Sequence, residues 1–285
     1  MHNERWVHQP AFWLELFILA NISFLAFDIY VAHSINAFAE RIEWLPIFFS
    51  AVATLVLLLA FPKSPVQLTA GWRRMAGLAV GFTSIALGIA GMIFHLESQF
   101  FAALSIKSLV YTAPFIAPLA YTGVGFLIVL NRMVPIHTLE WEDWALLFAT
   151  GGVVGNFILA LCDHAQNGFF RWDEWIPVYC SAMVTGLLIA NLASPDKANK
   201  PFLTICLLGL ALQAGVGLLG FYYHGAANLA AEAGGLRDRF LYGAPLFAPL
   251  LLPNISLLAL IAFWSQARRL NTQDRKLKPL VARPR

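Results

Sequence analysis

Four histidines and two carboxylates carry the chemistry open to this chain. His33, His95, His164 and His224 each stand at the end of an apolar stretch, and Asp28 and Asp163 precede two of them. A neutral imidazole donates, accepts and ligates metals, and an ionisable residue in an apolar segment is costly enough to imply a use. Of the other histidines, His2 and His8 fall in the N-terminal tail and His137 in a loop.

Three sites fit these residue types. The first is a metal centre, with Zn, Fe or Cu held by the four histidines and by carboxylates. The second is a b-type haem in each half of the chain, ligated by His33 and His95 or by His164 and His224. The third is a quinone, quinol or small polar ligand held by hydrogen bonds, with Asp28 and Asp163 moving protons in Asp–His pairs. Asn36, Asn167, Tyr111 and Tyr242 are the expected cofactor contacts, with Glu97 and Asn228 close by in sequence. Against all three stands a plain reading, in which a histidine near the headgroups bonds only a carbonyl or a phosphate.

The elements that position these residues are written twice. His33, Asn36, Phe38, Glu43, Trp44, Pro46, Ser50, Ala51 and Thr54 return without a gap as His164, Asn167, Phe169, Glu174, Trp175, Pro177, Ser181, Ala182 and Thr185. Nine coincidences in one window indicate an internal duplication. Gly88, Gly91 and His95 likewise match Gly217, Gly220 and His224. Tyr111, Ala113, Pro114, Ala117 and Pro118 match Tyr242, Ala244, Pro245, Ala248 and Pro249. The glycine pairs predict close helix contact, and the second proline of each set predicts a kinked or opened helix start. Glu43, Trp44 and Pro46 suit the first turn of a membrane helix, while Ser50 and Thr54 suit a helix–helix contact.

With 59% hydrophobic and 12% charged residues, the composition excludes an ordinary soluble domain. Apolar windows near 11–33, 44–62, 74–96, 110–131, 143–164, 175–193, 201–223 and 243–265 predict eight transmembrane helices. They lack the alternation of barrel strands. The expected fold is an all-α polytopic membrane protein built from two tandem four-helix repeats. An even number of helices per repeat puts the pseudo-two-fold axis along the membrane normal. The repeats span 1–135 and 136–267, and a basic tail spans 268–285. Lys63, Arg73, Arg74, Arg132, Lys197, Lys200 and the tail mark one face as cytoplasmic. Both termini then lie inside, in a bacterial inner membrane, and the histidines lie at the outer face.

The tail reads as a topology anchor that can touch anionic lipid, and no nucleic-acid partner is expected. Helix 1 reads as retained rather than cleaved, and Cys162, Cys180 and Cys206 as small apolar residues. Glu15 reads as interfacial. Long outer loops suggest protein partners, and 226–242 suggests an amphipathic helix. In helix number the chain resembles quinol-linked anchor subunits of respiratory enzymes. The expected function is a membrane binding or redox protein with an outer histidine site. The alternatives are a transporter or channel along the repeat interface, suggested by the proline-broken helices and the two aspartates, and a structural subunit of a larger assembly.

Overall fold

Every described element is helical, as long apolar runs require when backbone polar groups cannot reach water. The computed structural model describes residues 5–136, 138–194, 200–232 and 234–281, with side chains to position 269 except at 200. The expectations for His2, His137, Lys197 and the side chains of the basic tail beyond Arg269 lie outside the described residues.

Eight helices organise the chain. These are α1 (Pro10–Ser34), α2 (Leu45–Leu59), α3 (Gly71–Glu97), α4 (Leu119–Met133), α5 (Leu139–Gln166), α6 (Trp175–Ala193), α7 (Lys200–Ala230) and α8 (Leu251–Val281). Among the described residues seven helical stretches are long and apolar enough to cross a membrane, so this is an all-helical polytopic membrane protein. The exception is α4, whose 15 residues reach about 22 Å at ~1.5 Å per residue, short of a core of roughly 30 Å. The expected helix over 110–131 is therefore corrected. Residues Thr112–Pro118 are non-helical and helix resumes at Leu119. Pro114 and Pro118 lack the N–H a continuous helix needs, which accounts for the break. The expected span over 243–265 is shortened in the same way, since α8 begins at Leu251 after a single 3-10 turn at Ala248–Leu250.

In the first half α1 packs on α2, α2 on α3, α3 on α4 and α4 on α1. In the second half α5, α6, α7 and α8 pack in the same order, and α8 closes on α5. The halves meet where α1 touches α8 and α4 touches α5. The glycines make these contacts close. A Cβ at Gly88 would lie 2.6 Å from the Thr122 nitrogen and 2.8 Å from the Pro118 carbonyl oxygen, and one at Gly217 would lie 2.4 Å from Pro253 Cδ.

At the end away from the four histidines, each half carries a buried ion pair. Glu15 is corrected from interfacial to buried, and Arg132 Nη2 donates to its Oε2 at 2.8 Å. Asn131 Nδ2 donates to Glu15 Oε1 at 2.7 Å, and Trp141 Nε1 donates to Asn131 Oδ1 at 3.2 Å. The network thus ties α1 to α4 and α5. Gly77 makes room for it, since a Cβ there would sit 2.5 Å from Arg132 Nε. In the second half Arg269 Nε donates to Glu142 Oε2 at 2.8 Å.

Candidate functional site

The duplicated window folds into the same local form in both halves. Each of α1 and α5 ends just past its histidine, and the chain then turns through left-handed backbone: Ala37 and Phe38 at φ 55° and 54°, Gly168 and Phe169 at φ 71° and 48°. A non-glycine residue there costs on the order of 1–3 kcal/mol unless its surroundings hold it. Here the Phe38 and Phe169 amides donate at 3.1 Å to the carbonyls of His33 and His164. Their rings also stack on tryptophan, Phe38 on Trp44 at 4.1 Å and Phe169 on Trp175 at 3.8 Å between ring centres. Each phenylalanine ring also lies near the histidine ring, with centres 6.2 Å apart for His33 and 6.0 Å for His164. The ladder continues from tryptophan to Phe48 in one half and Tyr179 in the other.

The turn also delivers a carboxylate to each imidazole. Glu43 Oε2 lies 3.3 Å from His33 Nδ1, and Glu174 Oε2 lies 3.6 Å from His164 Nδ1. Both oxygens are buried without a hydrogen bond among the described residues. Asn36 holds the first carboxylate, donating from Nδ2 to Glu43 Oε1 at 3.0 Å, and its Oδ1 accepts from the Phe38 amide at 3.2 Å. Asn167 turns instead to the Asp163 carbonyl at 3.4 Å, so among the described residues Glu174 has no such clamp.

His95 and His224 answer the proline breaks. His95 Nδ1 donates to the Pro114 carbonyl at 2.9 Å and His224 Nδ1 to the Pro245 carbonyl at 2.7 Å. A carbonyl only accepts, so Nδ1 carries the proton and Nε2 keeps its lone pair. The two breaks are otherwise secured differently. Thr112 Oγ1 donates to the His95 carbonyl at 2.6 Å and Ala113 N to Ser98 Oγ at 2.9 Å, whereas Asn228 alone bonds both N and O of Ala244, at 2.8 and 2.9 Å.

The histidines come together in pairs within each half. The His33 and His95 rings meet edge-on with centres 6.2 Å apart. His164 and His224 lie within electrostatic reach of each other. Among the described residues no ring contact joins one pair to the other, and no group of three or more His, Cys, Asp or Glu is arranged to hold a metal ion. A single ring of four imidazoles, and a metal centre with three or more such ligands, are therefore corrected. No family model matches the chain, and no curated protein or solved structure matches it either.

Asp28 and Asp163 sit on α1 and α5 with no hydrogen-bond or ion-pair partner among the described residues. Asp163 lines a small cavity of about 10 Å³ together with Thr112, Pro114, Cys162 and Gln166. Tyr111 and Tyr242 stand apart from the histidine pairs in their bonding. Each ends a short helix, Ile106–Tyr111 or Leu236–Tyr242, stands exposed, and makes no bond or ring contact among the described residues.

Sequence reasoning missed Glu43, Glu174, Phe38 and Phe169 as site residues. All four belonged to the duplicated window. Their positional preference as helix-start residues explained the glutamates well enough to hide the contact with histidine, and nothing local in sequence reveals the stacking of the phenylalanines.

Proposed function

We propose that this protein is an integral membrane binding protein. Two equivalent outer-face sites, one in each tandem four-helix repeat, accept a proton or hydrogen bond from a planar, hydroxyl-bearing ligand of the quinol class. One observation carries the reading: all four imidazoles turn Nδ1 toward an oxygen, which is a glutamate carboxylate for His33 and His164 and a proline carbonyl for His95 and His224. The carbonyl bonds leave Nε2 of His95 and His224 as acceptors, and the carboxylate facing Nδ1 favours the same tautomer in His33 and His164. A carboxylate behind an imidazole orients the ring and raises its basicity, which is the arrangement a proton acceptor needs. The His–Phe–Trp ladders supply flat apolar faces against which a ring can stack.

The matched turns, matched proline caps and matched packing order of the two halves support the tandem repeat, with the shorter α4 completing eight crossings through its non-helical approach. The contacts of α1 with α8 and of α4 with α5 are those an axis along the membrane normal would exchange. The positive-inside rule puts the termini and the buried ion pairs on the cytoplasmic side of a bacterial inner membrane and the ligand sites on the other.

Calorimetric titration of the purified protein with a short-chain benzoquinol tests this. Two sites per chain are expected, both lost in the His33→Gln/His164→Gln variant. Equal heats from protein and double variant sink the proposal. A visible spectrum of protein from native membranes tests the haem version, which the pairing of His33 with His95 favours. A Soret band lost in His33→Gln would replace quinol by haem at the same imidazoles.

A second reading, transport along the repeat interface, rests on Asp28 and Asp163. Unpaired intramembrane carboxylates mark ion or proton pathways, and broken helices mark binding sites in transporters. Solute flux into proteoliposomes tests it, and flux unchanged in the Asp28→Asn/Asp163→Asn variant counts against it.

A further inference from the structure

We infer that the small cavity beside Asp163 is a binding site for one desolvated monovalent cation of sodium size, and that the halves differ in having it. The inference rests on the transport reading and gives it a coupling ion.

The site is built from α5 on one side and from the broken approach to α4 on the other. Its volume is about 10 Å³, near the ~10–15 Å³ that admits a single water. The polar side chains that line it present acceptors. Asp163 offers a carboxylate with no partner among the described residues, and Gln166 spends its Nε2 on the Val110 carbonyl at 2.7 Å, which leaves its Oε1. The Thr112 hydroxyl gives its proton to the His95 carbonyl at 2.6 Å and meets Ser98 Oγ at 2.8 Å, which leaves one oxygen lone pair. The helix Ile106–Tyr111 ends here, so its last carbonyls have no partner further along the same helix, and that of Val110 accepts from Gln166 alone among the described residues. Unwound carbonyls beside a carboxylate are how broken membrane helices coordinate sodium.

Charge and size select the ion. One carboxylate balances one positive charge, whereas a divalent ion would leave a net charge among apolar helices. Magnesium is also slow to shed its water.

The matching place in the other half lacks the carboxylate, since Ala32 stands where Asp163 does, and its space is taken. Phe247, which follows Pro245 by two residues as Ile116 follows Pro114, packs its ring on Phe24 at 5.4 Å and on Phe27 at 5.6 Å. One ion per chain follows, not two.

The test is the thermal midpoint of the purified, detergent-solubilised protein in sodium, potassium or choline chloride at equal ionic strength. The midpoint should climb with sodium and saturate, while potassium and choline leave it unchanged. The dependence should vanish in Asp163→Asn and persist in Asp28→Asn. Should Asp163→Asn fail to fold, Ile116→Phe provides the alternative, since it fills the cavity while keeping the carboxylate and must also abolish the sodium effect. A midpoint indifferent to sodium overturns the inference, as does a sodium effect retained in both Asp163→Asn and Ile116→Phe. Sodium binding without solute flux leaves the site standing and removes the transport reading. Flux that is indifferent to sodium removes the site.

Discussion

Replacing Glu43 by Gln is the perturbation that separates a working carboxylate–imidazole pair from a helix-start residue. The change keeps shape and removes one charge. Glu43 is 13% exposed at its side chain and His33 is 22% exposed, so water only partly replaces what is lost. An amide can still satisfy Asn36 Nδ2, which donates to Oε1 at 3.0 Å, but it then turns its NH₂ toward His33 Nδ1. Two donors cannot share that contact, so His33 moves its proton to Nε2 and loses the acceptor it offers a ligand. Leaving a donor facing a donor costs ~1–3 kcal/mol, or about 5-fold to 150-fold in affinity at ~1.4 kcal/mol per decade. Only the first-half site should weaken, because Glu174 serves the other. Calorimetry should therefore report one benzoquinol site of unchanged affinity and one weakened by that factor, and the Glu43→Gln/Glu174→Gln variant should weaken both. Two unchanged sites in the double variant would refute the role given to these carboxylates.

Other expectations follow from packing. Gly217→Ala and Gly88→Ala drive a methyl group into proline and backbone atoms of the facing segment; each should cost at least ~1–3 kcal/mol by denaturant titration, whereas Gly215→Ala and Gly123→Ala, with open space around them, should not. Arg132→Met strands the buried Glu15 carboxylate and should cost ~3–5 kcal/mol, with much of the loss recovered in Glu15→Gln/Arg132→Met; equal losses in the single and double variants would argue against the pair. Tyr121→Phe removes the hydroxyl that meets Ser50 Oγ at 2.6 Å and the Pro46 carbonyl at 2.8 Å, so it should cost ~1–3 kcal/mol. Ser181→Ala should be near neutral, because that hydroxyl has no partner among the described residues; a larger loss at Ser181 than at Tyr121 contradicts the bonding pattern.

The spans were legible because lipid enforces continuous apolar helices, and the starts of α4 and α8 departed, where Pro114 and Pro118 and their counterparts Pro245 and Pro249 leave segments that local pattern reads as helix. The proline break was foreseen as a kink. Its repair by His95 and His224 was not, since those residues come 19 and 21 positions before the carbonyls they meet. His95 and His224 do each meet a carbonyl, and the histidines that come together are the ones the haem reading paired. Glu15 was misplaced because its partner Arg132 lies 117 residues away, a distance no periodicity reports.

The central claim, that four imidazoles present Nε2 lone pairs at one face, is tested most directly by nitrogen-15 NMR of the protein labelled at histidine. His33, His95, His164 and His224 should each show the tautomer with the proton on Nδ1, and the His33 and His164 signals should move to the other tautomer in Glu43→Gln and Glu174→Gln respectively. Finding the proton on Nε2 of His33 and His164 in the unmodified protein would contradict the account.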